Sequence, residues 1–217
     1  MCYRPAVYPA VPSAAPTSES IRDRLARAAF ALFADQGYES TTIDDITRAA
    51  GVARRTFFRH FPSKEDVIFP DHDSVLDRVR WYLGASTKTE PVFAVAEATR
   101  LIFESFMETP ERTIARYRLT REVSALRDRE VASVAKYERV LSDYLRSRLP
   151  DTSEAALAAH IAAASFVAAH NQVLREWLRS GGAKDPRPAL EAAVATVSDL
   201  MAPLIVRSSR QGPSSAG

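Results

Sequence analysis

Cysteine and glycine are both scarce in this chain, and each scarcity narrows the class of protein. The single cysteine, Cys2, excludes an intramolecular disulfide and fits a reducing compartment. Only 7 of the 217 residues are glycine, whereas Ala, Leu, Arg and Glu are abundant, and this composition favours helices. No run of 18 residues is both uncharged and apolar throughout, so we expect no membrane span.

The motifs of common enzymes are lacking as well. The sequence contains no GxSxG, no Walker loop, no HExxH and no cysteine pair, and its four histidines are scattered. The triplet Asp71-His72-Asp73 has metal-ligating residue types, but neighbours on a helix point in different directions, so a polar turn is the simpler interpretation. We therefore expect no catalytic residue, no metal and no resident cofactor.

Charge is balanced globally and concentrated locally. The 29 Lys and Arg face 27 Asp and Glu, so net charge indicates no partner, and 46% hydrophobic with 26% charged residues is ordinary for a globular protein. Between Ile46 and Lys64, however, every charged residue is basic. Taken alone, such a cluster is more simply a solvated surface.

The segment 41–64, TTIDDITRAAGVARRTFFRHFPSK, predicts two short helices around a glycine turn. Thr42 suits the N-cap of the first helix, and Asp45 completes an imperfect capping box. Gly51 suits the left-handed position that ends this helix. In the second helix Phe57 and Phe61 share one face, so they must dock on the rest of the domain because so short a helix is unstable alone. The arginines on the opposite side then form an exposed ridge, as a helix-turn-helix requires.

Residues 21–66 resemble the DNA-binding domain of TetR-family transcriptional repressors. The matching features occur in order: a first helix ending in FADQGY, then TT, I-x-x-A-A-G-V, FFRHF and SKE. The resemblance covers about a fifth of the chain, and the rest matches only in length and helical pattern. It implies an all-α fold of about nine helices, with a three-helix helix-turn-helix domain and a larger C-terminal domain for effector binding and dimerisation.

Breaks in the sequence pattern divide the chain into four segments. We expect a flexible arm at 1–17, the DNA-binding domain at 18–66, the C-terminal domain at 67–207 and a disordered tail at 208–217. The arm is either inert or carries Arg4 to DNA, and both interpretations stay open.

Helical periodicity predicts a first helix from Ser18 to Gln36, and a fourth capped by Ser63 that runs to about Leu83. Pro70 predicts a kink or break in the fourth helix. The resemblance makes that helix the lever between the two domains. Five further helices are predicted at 91–108, 110–127, 129–149, 153–180 and 187–206.

The resemblance also implies which residues contact DNA. Arg54, Arg55 and Thr56 open the recognition helix, where base edges are usually reached. Many family members have Gly at the position of Arg55, so this arginine either reads an additional base or holds a phosphate. Phe58 stands where Tyr is frequent, and its ring either touches a thymine methyl group or simply packs within the protein. Ala53 replaces the common Ser, which removes a cap worth about 1 kcal/mol. The predicted DNA-contacting residues are Thr41, Thr42, Arg54, Arg55, Thr56, Phe58, Arg59, His60 and Lys64.

The last two long helices are rich in small residues, which allow close helix contacts on more than one side. They are either core helices of a monomer or, as the resemblance implies, half of a four-helix bundle across a two-fold axis. Two recognition helices must lie about one DNA turn, ~34 Å, apart to reach successive major grooves. We therefore expect a homodimer that binds double-stranded DNA at a palindromic operator.

The resemblance implies an effector pocket in the C-terminal domain, but the effector itself is unknown. For each candidate lining residue a place in the core or interface is the simpler interpretation: Trp81, Phe103, Phe106, Tyr117, Tyr137, Phe166, His170 and Trp177. His170, Asn171 and Gln172 are candidates for orienting a ligand. One helix carries arginines that meet an anion such as an acyl-coenzyme A or form a solvated face: Arg112, Arg116, Arg118 and Arg121.

These observations predict a cytoplasmic, ligand-responsive repressor of the TetR type that is not an enzyme. The alternatives are an activator with the same DNA-binding domain, or a small-molecule-binding helical protein or enzyme without a DNA function.

Overall fold

The computed structural model describes residues 19–87 and 90–210, which form two compact units divided between Pro62 and Ser63. Within these ranges there are nine α-helices, one 3₁₀ turn and no strand, so the all-α expectation is confirmed. The boundary between the two units, after Pro62, lies before the predicted domain boundary after residue 66. The predicted arm at 1–17 lies outside the described residues. The last helix continues to Arg210, past the predicted start of the tail at Ser208.

The first unit contains the three predicted helices: α1 (Ile21–Gln36), α2 (Ile43–Ala49) and α3 (Arg54–His60). Ser20 caps α1, because its hydroxyl accepts a hydrogen bond from the Asp23 backbone N–H at 3.1 Å. The core of this unit is formed by residues from all three helices and their ends: Leu25, Ala26, Ala29, Phe33, Ile46, Phe57 and Phe61.

The second unit begins with a short 3₁₀ turn, Glu65–Ile68, and α4 starts only at His72 (His72–Ala85). Pro70 lies in the gap between them, so the predicted break is confirmed. The predicted capping by Ser63 is wrong: its hydroxyl donates to the Asp66 carboxylate at 2.8 Å and caps no helix.

The remaining helices are α5 (Pro91–Met107), α6 (Pro110–Glu122), α7 (Ser124–Arg146), α8 (Ser153–Arg179) and α9 (Arg187–Arg210). The starts of α5 and α6 at a proline and of α8 after a threonine agree with the predicted punctuation, and α9 begins at residue 187 as predicted. The exception is the junction of α6 and α7, which lies at the extended residue Val123 and not near residue 128. No glycine or proline marks this junction, so the sequence carried no signal for it.

Helices α8 and α9 pack against each other, and α8 supplies much of the core of the second unit. Both are long and apolar enough, by length and composition alone, to cross a membrane, which the sequence expectation did not anticipate. In α8, 50% of the apolar window is buried inside the unit, as in the core helix of a globular domain. In α9 only 22% is buried, so this helix leaves much apolar surface uncovered.

The docking of α3 through its aromatic side chains can be tested with two neighbouring phenylalanines. Phe57 is fully buried, whereas Phe58 is 48% exposed. We expect Phe57→Ala to destabilise the first unit by about 3–5 kcal/mol, because truncation of a core aromatic leaves a cavity. The matched control Phe58→Ala should cost less than about 1 kcal/mol.

The measurement is amide hydrogen exchange, read separately for residues 43–60 and for α8. Phe57→Ala should accelerate exchange in 43–60 and leave α8 unchanged. Equal exchange in the two variants would contradict the docking of α3 by its buried face.

Candidate nucleic-acid interface and ligand cavity

Helix α2 has well-formed ends at the positions that the sequence indicated. The Thr42 hydroxyl accepts from the Asp45 N–H at 3.1 Å, and the Asp45 carboxylate accepts from the Thr42 N–H at 3.0 Å, so the capping box is confirmed. These hydrogen bonds from Thr42 hold the pKa of Asp45 below its usual value. At the other end Gly51 has φ +65°, and the N–H of Val52 bonds to the carbonyl of Thr47, as in a Schellman motif.

Helix α3 follows this turn without a side-chain cap, as the alanine at position 53 predicts. Phe57 and Phe61 are fully buried, with ring centroids 5.6 Å apart. The side chains of Arg54, Arg55 and Arg59 are exposed on the outside of the same helix. One face of this short helix is therefore buried through aromatic rings, and the other exposes three cations to solvent.

Two arginines of α1 hold the C-terminal ends of the other two helices. Arg24 donates to the carbonyl of Ala50 at 2.7 Å, and Arg22 donates to the carbonyl of His60 at 2.7 Å. Arg22 also lies over the ring of Phe61, 4.6 Å from its centroid. Cations at helix C-termini satisfy free carbonyls and favour the helix dipole. The sequence pattern predicted the first helix but not these two contacts.

The predicted DNA-contacting residues separate into free and engaged groups. Arg55 and Arg59 are exposed and make no ion pair or hydrogen bond within the described residues. Arg54 is exposed but is tied to Asp44 by an ion pair of 2.6 Å and lies 5.5 Å over the ring of Phe58. Exposed pairs of this kind are worth less than about 1 kcal/mol, so a phosphate or base can replace Asp44.

Thr41 and Thr42 are already hydrogen-bonded within the fold, and His60 is half-buried. Thr41 is 1% exposed and its hydroxyl donates to the carbonyl of Gly37 at 2.8 Å. The Thr42 hydroxyl is occupied in the capping box. The Nε2 atom of His60 is buried without a partner, and burial lowers the pKa of this histidine. Thr56 is half-buried, and Lys64 precedes the 3₁₀ turn in the second unit.

The second unit contains a cavity of about 360 Å³ between α4, α5, α6, α7 and α8. Four of the eight residues predicted for a pocket line it: Phe106, Tyr117, Tyr137 and His170. The other four lie elsewhere. Trp81 is 56% exposed on α4, while Phe103, Phe166 and Trp177 are buried in the core because they project from the faces of α5 and α8 that pack against other helices.

Of the predicted polar candidates, Asn171, Arg112 and Arg116 line the cavity, whereas Gln172, Arg118 and Arg121 do not. Nine further polar residues, which sequence reasoning did not place in a pocket, also line it: Asp71, His72, Thr99, Ser105, Thr109, Thr113, Glu130, Ser133 and Arg175. Periodicity alone does not distinguish a cavity-facing polar residue from a solvent-facing one, so no sequence signal identified them.

Burial shifts the pKa values of several ionisable groups that line the cavity. Burial lowers the pKa of Arg116 and raises that of Glu130, and each group partly opposes the other's shift. Burial also lowers the pKa of both His72 and His170 to about 4, so both rings are neutral at pH 7. The described residues contain no cluster of three or more potential metal ligands.

An exposed recognition helix, joined by a glycine turn to a capped helix and supported by a third, defines the first unit as a helix-turn-helix DNA-binding domain. Residues 25–69 match the family model of bacterial regulatory proteins of the tetR family. Residues 25–69 are therefore similar to the DNA-binding domain of this family, and the resemblance seen in residues 21–66 is confirmed.

Two sequence relatives and one solved structure illustrate the extent of similarity. TcmR, a transcriptional regulator of Streptomyces glaucescens, is 59% identical over 46 residues, which are 21% of this chain and 20% of that protein. FasR, a transcriptional activator of Mycolicibacterium smegmatis, is 28% identical over 182 residues, 80% of this chain and 79% of that protein. NalD, a repressor from Pseudomonas aeruginosa, shares the fold with a TM-score of 0.55 and 20% identity, over 83% of this chain and 96% of that chain.

For TcmR and two further curated relatives, the match spans only 20%, 61% and 42% of the relative's own length. All of these relatives are transcriptional regulators, in agreement with the expectation that this chain is not an enzyme.

The buried histidine of the cavity predicts a specific loss of stability in acid. An unfolded histidine binds a proton near pH 6.5, but His170 in the folded unit does so only near pH 4. Between these values the unfolded state holds more protons, so stability falls as the pH is lowered from 6.5 towards 4. We expect His170→Gln to remove roughly 2 kcal/mol of the stability loss between pH 7 and pH 5.

Urea unfolding at the two pH values provides the measurement, and His160→Gln, an exposed position on the same helix, is the control. The His160 variant should retain the wild-type difference between pH 7 and pH 5. If His170→Gln retained it too, a neutral buried His170 would be ruled out.

Proposed function

We propose that this chain is a cytoplasmic, ligand-responsive transcriptional repressor that binds a palindromic operator in double-stranded DNA as a homodimer. The observation that carries the proposal is the recognition helix α3, with three exposed arginines above two fully buried phenylalanines. Such a ridge is shaped and charged to enter a major groove. Sequencing the genomic fragments retained by the purified protein tests this directly, and retention of no fragment at low ionic strength would refute it.

Within this proposal, Arg55 reads a base and Lys64 holds the DNA backbone. Arg55 stands near the start of α3, is exposed and has no protein partner within the described residues, so its guanidinium is available for a bidentate pair with guanine. Phe58, 48% exposed beside Arg54, offers an apolar surface for a thymine methyl group.

Three alanine variants separate these roles on an operator and on its point variants. Arg55→Ala should lose about 1–3 kcal/mol on the operator and relax the preference at one base pair. Lys64→Ala should weaken binding to all sequences equally and lower the salt dependence of binding. Arg27→Ala, an exposed arginine of α1 paired with Glu19, is the charge-matched control and should bind as the wild type does.

Fluorescence anisotropy at several salt concentrations measures all three. An equal loss on every sequence for Arg55→Ala would assign this residue to a phosphate instead of a base.

The homodimer is supported by apolar surface that the single chain does not cover. Leu157 and Ile161 of α8 and Leu200 of α9 are 59%, 41% and 63% exposed. They belong to the two helices whose small residues allow close packing on several sides. A second copy of the same two helices would bury this surface across a two-fold axis.

Sedimentation at micromolar concentration tests this interface. Leu200→Glu should shift the protein from dimer to monomer, because a carboxylate would be buried without a partner. Val131→Glu, 65% exposed on α7, is the control and should remain dimeric. A Leu200→Glu protein that sediments as a dimer would exclude α9 from the interface.

Ligand response requires a connection between the cavity and the residues that follow the DNA-binding domain. Ser133 lines the cavity and accepts a hydrogen bond from Arg129 at 2.8 Å. Arg129 also pairs with Asp66 at 2.5 Å, and Asp66 accepts from the backbone and hydroxyl of Ser63, the first residue of the second unit. We propose that a ligand which displaces α7 acts through this chain of contacts, in which Asp66 is only 13% exposed.

An activator is the second candidate, because FasR, matched over 79% of its length, bears that name. The same DNA-binding domain suits a repressor or an activator, since the effect on transcription depends on where the operator lies relative to the promoter. Transcription in vitro from the retained fragments, with and without the protein, distinguishes the two.

A further inference from the structure

The cavity of the second unit contains a half-buried arginine, and the carboxylate of Glu130, which also lines the cavity, acts on its charge without forming an ion pair with it. Arg116 projects from α6 over the rings of Phe106 and Phe69, with its guanidinium carbon 4.8 and 5.5 Å from their centroids. It forms no ion pair and donates no hydrogen bond within the part of the chain that the structure describes. Arg112, by contrast, is paired with Asp71 at 3.2 Å. A half-buried guanidinium with free donors favours an anion that accepts two parallel hydrogen bonds.

Three of the hydroxyl groups that line the cavity are already used within the protein. Thr99, Ser105 and Thr113 line the cavity, and each donates to a backbone carbonyl of α5, at 2.9, 2.6 and 2.8 Å. Their O–H groups are therefore not free to donate a hydrogen bond to a ligand. The remaining wall is largely aliphatic and aromatic: Phe69, Val75, Ile102, Phe106, Val134 and Leu174.

A second unsatisfied group faces this apolar space from α8. His170 is 5% exposed, and its Nδ1 lies 3.1 Å from Oδ1 of Asn171. An amide oxygen only accepts, so Nδ1 carries the proton, and Nε2 of the neutral ring is left as an acceptor. This Nε2 atom is buried and has no partner. A buried acceptor without a donor is costly, and a ligand that supplies the donor removes that cost.

We propose that the cavity binds a small apolar organic acid that carries a hydroxyl group, with its carboxylate held by Arg116 and its hydroxyl donating to Nε2 of His170. Phe69 and Phe106, which already stack on Arg116, contact the apolar body next to the carboxylate. The cavity volume of about 360 Å³ corresponds to roughly a dozen water molecules, which suits a body of two or three rings or a medium chain. A whole acyl-coenzyme A does not fit in this space. The inference rests on the proposed function only in treating the bound acid as the effector.

The test is calorimetric titration of the full chain, without DNA, at pH 7. One probe series is 6-hydroxy-2-naphthoic acid, 2-naphthoic acid and the methyl ester of the first. A second, flexible series is 12-hydroxydodecanoic acid, dodecanoic acid and dodecanoyl-coenzyme A. We expect the hydroxy acid to bind most tightly in at least one series, and the ester or thioester to bind at least about tenfold more weakly, which is about 1.4 kcal/mol.

The variants assign the two contacts. Arg116→Met should weaken the acids at least about tenfold and leave the ester unchanged, and Arg116→Lys should recover part of the loss. His170→Leu should lower the affinity of the hydroxy acid to that of the acid without a hydroxyl. Arg118→Met, an exposed arginine of α6 outside the cavity, is the matched control and should bind as the wild type does.

Three results would overturn the inference: no probe binds, the ester binds as tightly as the acid, or Arg116→Met and Arg118→Met bind the acids equally. Tightest binding of dodecanoyl-coenzyme A would overturn the small-acid assignment as well. Because these titrations contain no DNA, their failure does not affect the fragment-retention test of DNA binding. A protein that binds DNA but no probe refutes only the ligand inference.

Discussion

The burial of two phenylalanines beneath α3 is the constraint on which the DNA-binding surface depends. Seven residues form this helix, too few to hold a helix together in water. Phe57 and Phe61, both fully buried, dock it, and the same docking determines which side faces outwards. Because Arg55 and Arg59 lie on the opposite side, the apolar contact places the cations. The proposed affinity for DNA, a polyanion, thus depends on the burial of two uncharged aromatic side chains.

Arginine has three different roles in this chain, and its surroundings decide which. In α1, Arg22 and Arg24 donate to the last carbonyls of α3 and α2 and are structural. On α3 the exposed arginines have water on most sides and are available to DNA. In the cavity, half-buried Arg116 stacks on aromatic rings and forms no ion pair, although Glu130 lines the same cavity, and there a guanidinium favours binding of an anion. The residue type is the same, but the dielectric and the available partners differ.

Local signals predicted the N-terminal domain well. The N-cap at Thr42, the left-handed Gly51 and the missing cap at position 53 each depend on residues within a few positions, so the sequence contains the whole cause. The break at Pro70 is of the same kind. The α6–α7 junction at Val123 was missed because tertiary packing, with no glycine or proline, ends one helix there and starts the next.

The amino-acid sequence by itself determined the helical class, the helix-turn-helix and its arginine ridge, because capping, turn chemistry and 3.6-residue periodicity are local properties. Only the tertiary structure decided which polar residues of the second unit share a cavity. His72, Arg116, Glu130 and His170 come from four different helices, and although Arg116 and His170 were candidates from the sequence, no local pattern brings the four residues together. Their meeting depends on how five helices pack, and that packing also leaves a guanidinium and an imidazole nitrogen without partners inside an apolar wall.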